Sequence, residues 1–303
     1  MARTITSYTH SLNNAQVDNL RMILEQSGFI FKKKDHALFA ATGTNLHVTV
    51  YEKGPKVLIQ GKNTEEFVRF TLEPEVLGTA ELGYEEERNP EMFEPHFGID
   101  ESGKGDFFGP LVVAGAYTDR DSARTLLDAG VMDSKKIADP KIKKLASLIR
   151  KTPGLDHEVI MIGPEKYNEL YKKIGNLNKL LAWGHAAVIE KLCAKRPDCQ
   201  RALSDQFANP SRLRSALGKN GREIQLQQRT KAESDITVAA ASILARDKFV
   251  WWIEQASVKY GLTVPKGASS TVRETAGKLV EKHGKDILFD IAKTHFRTAS
   301  EWL

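Results

Sequence analysis

Apolar residues recur in two different rhythms along the chain. Between residues 13 and 26, Val17, Leu20, Ile23 and Leu24 fall at helical spacing and Gly28 supplies a stop, so the pattern predicts a first helix. Short β-type runs follow at 29–31, 37–41 and 46–51, and the Gly54-Pro55 turn leads into a fourth at 57–60. These predict an antiparallel sheet. Asn63 and Thr64, followed by Glu65 and Glu66, then mark a helix start with acids in its first turn, leading into Phe67, Val68 and Phe70. Residues 1–80 therefore read as a small α+β domain with a curved sheet as its binding face. The stretch 81–95, ELGYEEERNPEMFEP, is acidic, carries two prolines and has no apolar period, which predicts a linker.

Beyond residue 95 the rhythm alternates. A short apolar run at 97–100 ends in a carboxylate, and 111–117 forms a second strand after a glycine-rich turn. Helices are expected at 120–129, 140–151, 164–174, 178–194, 236–260 and 273–283, with strands near 158–162 and 202–205. Residues 96–303 thus predict an α/β layered domain with a helical C-terminal part. No apolar run approaches the roughly 18 residues of a membrane span, and the opening MARTITSYTHSLNNAQ lacks the apolar core of a secretory signal. The expectation is a soluble, cytoplasmic protein. Cys193 and Cys199 form no CxxC and have no second pair with which to build a zinc site, so they read as incidental thiols.

Charge sharpens the division. Residues 1–80 carry a net +1, 81–95 a net −5 and 96–303 a net +9. A block of that sign attracts a polyanion through phosphate contacts, although a lysine-rich surface on an ordinary enzyme would have the same composition. Exposed-looking Lys32, Lys33 and Lys34 beside Phe29 and Phe31 are the corresponding local feature of the small domain.

The segment richest in chemistry is GIDESGKGDFFGPL at 98–111. Gly98, Gly103 and Lys104 begin a phosphate-binding loop of the form GxxxxGK[ST], but Gly105 stands where a magnesium-binding hydroxyl is required. The other reading takes Asp100 and Glu101 as ligands of a hard cation, which neighbours in a strand can share only if the strand ends or bends there. Asp205 ends another apolar segment, and Glu233 and Asp235 open the long apolar helix expected from 236. An acid there either caps the helix or binds metal, and the two roles are compatible. Acids converging from three segments would hold two cations that activate a water against a phosphodiester.

These residues resemble the type 2 ribonucleases H. The first motif at 98–111 is similar to theirs, and its Gly-Lys-Gly form resembles the HIII branch, where HII usually has Gly-Arg-Gly. DSKK at 133–136, NLNK at 176–179, SDQ at 204–206, KAESD at 231–235 with AASILAR at 240–246, and PKGAS at 265–269 resemble further family motifs in the same order. The resemblance covers about 97–303. It extends to 1–80 through the architecture, since the HIII amino-terminal domain resembles half of a TATA-binding protein. It implies a ribonuclease H-like domain with a mixed central sheet that hydrolyses the RNA strand of RNA/DNA hybrids with two Mg2+ or Mn2+ ions, leaving 5′-phosphate and 3′-hydroxyl ends. Asp100, Glu101, Asp205 and Asp235 match the metal-binding carboxylates, with Asp235 favoured over Glu233. Ser102, Gly103, Lys104, Gly105, Ser134 and Lys135 are the implied substrate contacts. A monomer without a protein partner, inefficient at a single ribonucleotide embedded in DNA, is the corresponding expectation. His185 and His295 read as packed structural residues. The rival classes are a nucleic-acid-binding module without catalysis and a nucleotide-dependent phosphotransferase.

Overall fold

A computed structural model of the chain describes residues 5–79, 82, 85–207 and 209–303. The chain divides into two compact units, residues 1–90 and 91–303.

The first unit is α+β. Strand β1 (Ser7–Ser11) precedes helix α1 (Asn14–Gln26), and β2 (Ile30–Lys32), β3 (Ala37–Gly43), β4 (Leu46–Tyr51) and β5 (Lys56–Gln60) complete an antiparallel sheet in the order β1-β5-β4-β3-β2. Asn13 and Gln16 start α1 with a reciprocal capping box, each side chain accepting from the other's backbone amide at 2.9 Å. Leu20 and Leu24 of α1 pack with Val48, Val50, Val57 and Ile59 of the sheet. Helix α2 (Thr64–Phe67) runs into a wide π-helical segment, Val68–Leu77, which accommodates Pro74 and buries Val68 and Leu72. β1 is absent from the apolar pattern because SYTHS has no run of hydrophobic residues, and its strand state depends on the ladder to β5.

Of the acidic stretch 81–95, residues 81, 83 and 84 lie outside the described residues. Helix α3 (Glu85–Arg88) and a 3-10 turn (Pro90–Phe93) follow, and Met92 and Phe93 are buried in the core of the second unit.

The second unit is built on a mixed sheet of β6 (His96–Ser102), β7 (Leu111–Thr118), β8 (Asp156–Ile162), β9 (Arg201–Asp205) and β10 (Gln225–Arg229), in the order β10-β9-β6-β7-β8. β7 alone runs against its neighbours, while β9 is parallel to both β6 and β10. The helices are α4 (Arg120–Asp128), α5 (Asp139–Lys151), α6 (Pro164–Ile174), α7 (Leu177–Lys195), α8 (Pro210–Ala216), α9 (Ile236–Tyr260), α10 (Ser270–His283) and α11 (Ile287–Ile291). α9 lies on one face of the sheet with α4 and α5, and α7 covers the other.

Two glycines allow this close layering. A Cβ on Gly98 would sit 2.3 Å from the Val238 amide nitrogen of α9, and one on Gly115 would sit 2.5 Å from Val188 of α7. β6 and β7 are therefore clamped between α9, which comes nearly to backbone contact at Gly98, and α7, whose Val188 and Leu192 side chains fill the space over Gly115. Phe97 and Ile99 project toward α7, whereas Gly98 meets α9, so the period of two along β6 sets which face each following residue reaches.

Candidate active site

The register of β6 and β9 brings the first acids together. Ile99 pairs with Ser204, so Asp100 and Asp205 occupy the next position on two parallel neighbouring strands, which lie about 4.8 Å apart. Both lie on the α9 side. Asp100 accepts the Glu101 amide at 2.8 Å and is hydrogen-bonded by Ser242 of α9. Ser242 in turn lies 2.6 Å from the hydroxyl of Ser134. Burial, then the neighbouring charge of Glu101, pushes the Asp100 carboxyl up to about 7, against the bonds that favour its ionised form.

Glu101 takes the opposite face. β6 continues through Ser102 without ending or bending at the acids, and the strand period directs Glu101 toward α7. There it accepts from His185 Nε2 at 3.0 Å and lies 3.5 Å from Lys104 Nζ. Burial alone would raise the Glu101 carboxyl, but His185 and Lys104 outweigh it and hold it below the usual carboxylate range. The ring of His185 is fully buried, its Nδ1 3.0 Å from Ser204 Oγ, which donates to the Asp205 carbonyl at 3.1 Å. Phe207 packs against that ring at 4.8 Å between centroids. His185 is thus packed, as the sequence suggests, and also ties the Glu101 carboxylate to the end of β9. A single histidine on an apolar helix carries no sequence signal for the second role.

Asp235 opens α9 as its N-cap. Its Oδ1 accepts from the Thr237 and Val238 amides at 2.9 and 3.2 Å, capping α9, and lies 3.1 Å from His96 Nε2. Burial would raise this carboxyl, yet the His96 bond and the two amides hold it low. Ser242 contacts Asp100 two helical turns further along α9, a distance of about 10 Å at the helical rise per residue. Glu233 instead lies in a 3-10 turn (Ala232–Ser234) whose Ala232 amide donates to Asp205 at 3.4 Å. His96 went unread in the sequence.

The glycine turn follows directly from β6. Gly103 has φ +88° and a Cβ there would lie 2.1 Å from the Pro110 carbonyl, so only glycine fits, whereas Gly105 is exposed with open space around it. Ser102 and Lys104 are half-buried beside it. Ser134 does not face solvent as a substrate contact would: its hydroxyl is buried against Ser242, and its carbonyl accepts from Arg246. Lys135 is exposed and acts on Asp100 through its charge. His295 sits among Tyr167, Tyr171 and Phe296, as a packed residue does.

The oxygen donors of Asp100, Glu101, Asp205 and Asp235 suit a hard divalent cation, and the half-buried Asp100, raised by desolvation and by the Glu101 charge, would gain from one. Among the described residues, no three His, Cys, Asp or Glu side chains are already gathered closely enough to grip a metal ion. Alternation along β6 is the reason, since it sends Asp100 and Glu101 to opposite faces.

Comparison with known proteins gives the family. Residues 97–299 match the family model for ribonuclease HII. The chain is 43% identical over 293 residues to ribonuclease HIII of Chlamydia pneumoniae, covering 96% of each chain, and 40% identical over 295 residues to ribonuclease HIII of Protochlamydia amoebophila, covering 97% and 96%. The crystal structure of Bst-RNase HIII in complex with Mn2+ superposes with a TM-score of 0.67 at 30% identity, covering 98% of this chain and 97% of that one. A mixed sheet in the order β10-β9-β6-β7-β8, neighbouring acids on its central strands and likeness along the whole chain lead to one conclusion: this protein belongs to the type 2 ribonuclease H family, in its ribonuclease HIII branch.

Proposed function

We propose that this protein cuts the RNA strand of RNA/DNA hybrids by divalent-cation-assisted attack of water, leaving 5′-phosphate and 3′-hydroxyl ends. The observation that carries the reading is the side-by-side placement of Asp100 and Asp205, with Glu101 and the Gly103–Gly105 turn at the same end of β6. Two divalent cations, Mg2+ or Mn2+, supply when bound an activated water and neutralisation of the charge that develops on phosphate. Asp100 and Asp205 would be the central ligands, Glu101 would complete the set from the α7 side, and Asp235, which also caps α9 and meets His96 through Oδ1, would take the fourth position. His185 orients Glu101.

The turn at 103–105 discriminates by close backbone approach to the 2′-hydroxyl of the RNA strand, while Lys104 and Lys135 neutralise neighbouring phosphates. The first unit binds hybrid through its sheet and the exposed Lys32, Lys33 and Lys34; Phe29 and Phe31 pack inward, against Phe67 and Phe39. Both cysteines are free and buried, in keeping with the reduced, cytoplasmic setting expected from the sequence. Among the described residues no helix is long and apolar enough to cross a membrane.

The test is cleavage of end-labelled hybrid, RNA duplex, DNA duplex and DNA with one embedded ribonucleotide, in Mg2+, Mn2+ or EDTA. Metal-dependent cutting of the hybrid, lost in Asp100→Asn and in Asp235→Asn and kept in Glu233→Gln, is expected. Tight binding of hybrid without cutting in either metal would transfer the protein to the non-catalytic binding class.

A further inference from the structure

Lys293 lies just after α11 and is fully buried. Its Nζ lies 2.8 Å from the Asp106 carbonyl oxygen, 2.7 Å from that of Gly109 and 3.5 Å from that of Phe108. An ammonium has three protons to donate, and here three main-chain acceptors from one loop converge on it. The backbone amide of Lys293 donates to the remaining carbonyl of the loop, Phe107, at 2.8 Å. The face of the Tyr167 ring lies 5.7 Å from the nitrogen.

The same loop is held from a second direction. Phe107 donates its amide to the Gly267 carbonyl at 2.9 Å, and the Gly267 amide donates to Asp106 Oδ1 at 2.6 Å. Gly109 donates to the Ile291 carbonyl at 2.9 Å. Residues 106–109 are thus laced between two segments of the C-terminal part of the chain. They begin where the glycine turn ends, and the Asp106 amide closes that turn by donating to the Gly103 carbonyl at 3.3 Å. Nothing about filling space calls for a lysine here. A methionine would occupy the same volume but would leave the carbonyls at 106 and 109 without this donor; burial lowers the Lys293 amine from its ordinary 10.5 to about 7, and the carbonyls that receive its protons favour the charged form against that cost.

We propose that Lys293 is a positioning residue for cleavage, fixing the backbone of the Gly103–Gly105 turn in the conformation that meets the RNA strand, through the carbonyls of 106–109 and without touching substrate. The inference rests on the hybrid-cleaving role proposed above. It assigns the KTHF segment at 293–296 a part in substrate recognition rather than in packing alone.

The experiment compares full-length wild type with Lys293→Met and Lys293→Ala, reading hybrid KM and kcat together with amide hydrogen exchange of the peptide spanning 103–110. Lys293→Met should raise KM about tenfold, with kcat changed by less than about threefold, because ground-state grip on the hybrid is what loosens. Exchange at 103–110 should quicken while that of α9 stays as in wild type. In Lys293→Ala, added n-propylammonium, which replaces the missing atoms with their charge, should restore the wild-type KM, and 1-propanol should not. Equal rescue by 1-propanol, or a Lys293→Met protein with wild-type KM and wild-type exchange at 103–110, would overturn the proposal. If Lys293→Met does not fold, Asp106→Ala, which breaks the lacing at the Gly267 amide, should show the same signature in weaker form, and its absence counts against the clasp. Should wild type cut no hybrid, the functional reading fails, and exchange at 103–110 decides the clasp by itself.

Discussion

Gly98→Ala tests the layering that positions the site. The added Cβ would meet the Val238 nitrogen at 2.3 Å, the Thr237 carbonyl carbon at 2.4 Å and its oxygen at 2.7 Å. Every one of these atoms is backbone, so no side chain can swing aside. Restoring ordinary contact of about 3.4 Å requires α9 and β6 to separate by about 1 Å, and overpacking of this kind costs about 3 kcal/mol, the upper end of its usual range. The same shift moves Ser242 away from Asp100, and a misplacement of about 1 Å at a reacting centre costs about a hundredfold in rate. Urea unfolding followed by tryptophan emission reads the effect selectively, because Trp183, Trp251, Trp252 and Trp302 all lie in the second unit. The expected result is a lower midpoint with an unchanged slope. A loss below about 1 kcal/mol with full hybrid cleavage would refute the claimed backbone contact between β6 and α9.

Other substitutions probe single links. Gly105→Ala should keep wild-type stability, since its Cβ meets nothing, yet weaken hybrid cleavage, whereas Gly103→Ala should lower the unfolding midpoint through the Pro110 carbonyl and the positive φ. Asp235→Ala should cost about 2 kcal/mol, from a lost helix cap and a His96 Nε2 left without its partner, measured by the same urea titration. Burial, aided by the Lys293 charge, pushes His295 down to about 4 from an ordinary 6.5, so in that window the unfolded chain binds a proton the native one does not. The His295 contribution to stability should therefore be level above pH 6.5 and fall by about 1–2 kcal/mol toward pH 4 once partial exposure is allowed for, and His295→Phe should remove this component from the difference between unfolding curves at pH 7.5 and 4.5. Burial pushes the Cys193 thiol up to about 11 and raises Cys199 as well, so a thiol-specific disulfide reagent should react with native protein far more slowly than with protein in urea.

Local pattern carried much of the fold. The apolar periods at 46–51, 164–174 and 236–260 coincide with β4, α6 and α9, because each of these elements buries a face whose rhythm is written in consecutive residues. β1 and β10 escaped that reading. SYTHS and QLQQR sit at sheet edges, where polar side chains face water and only pairing with β5 or β9 makes the segment a strand. Short α8 and α11 are likewise set by their surroundings rather than by any long period.

The candidate site divides in the same way. Resemblance of the motifs at 98–111 and 204–206 to a family singled out Asp100, Glu101 and Asp205, since a pair of acids at a strand end is by itself more often a solvated turn. Their relation in space was decided elsewhere: β6 and β9 join residues about a hundred positions apart, and their register sets Asp100 beside Asp205 while alternation turns Glu101 to the other face. Glu233 and the favoured Asp235 lie two positions apart in the chain, and only the fold shows that Asp235 caps the α9 N-terminus and meets His96. His185 and Lys293 acquire their roles only when α7 meets the end of β6 and when the chain beyond α11 returns to the 106–109 loop. A sequence determines what each residue can donate, accept or bury. Partners distant along the chain are chosen by packing, and a one-step change of register would give every one of these side chains a different neighbour.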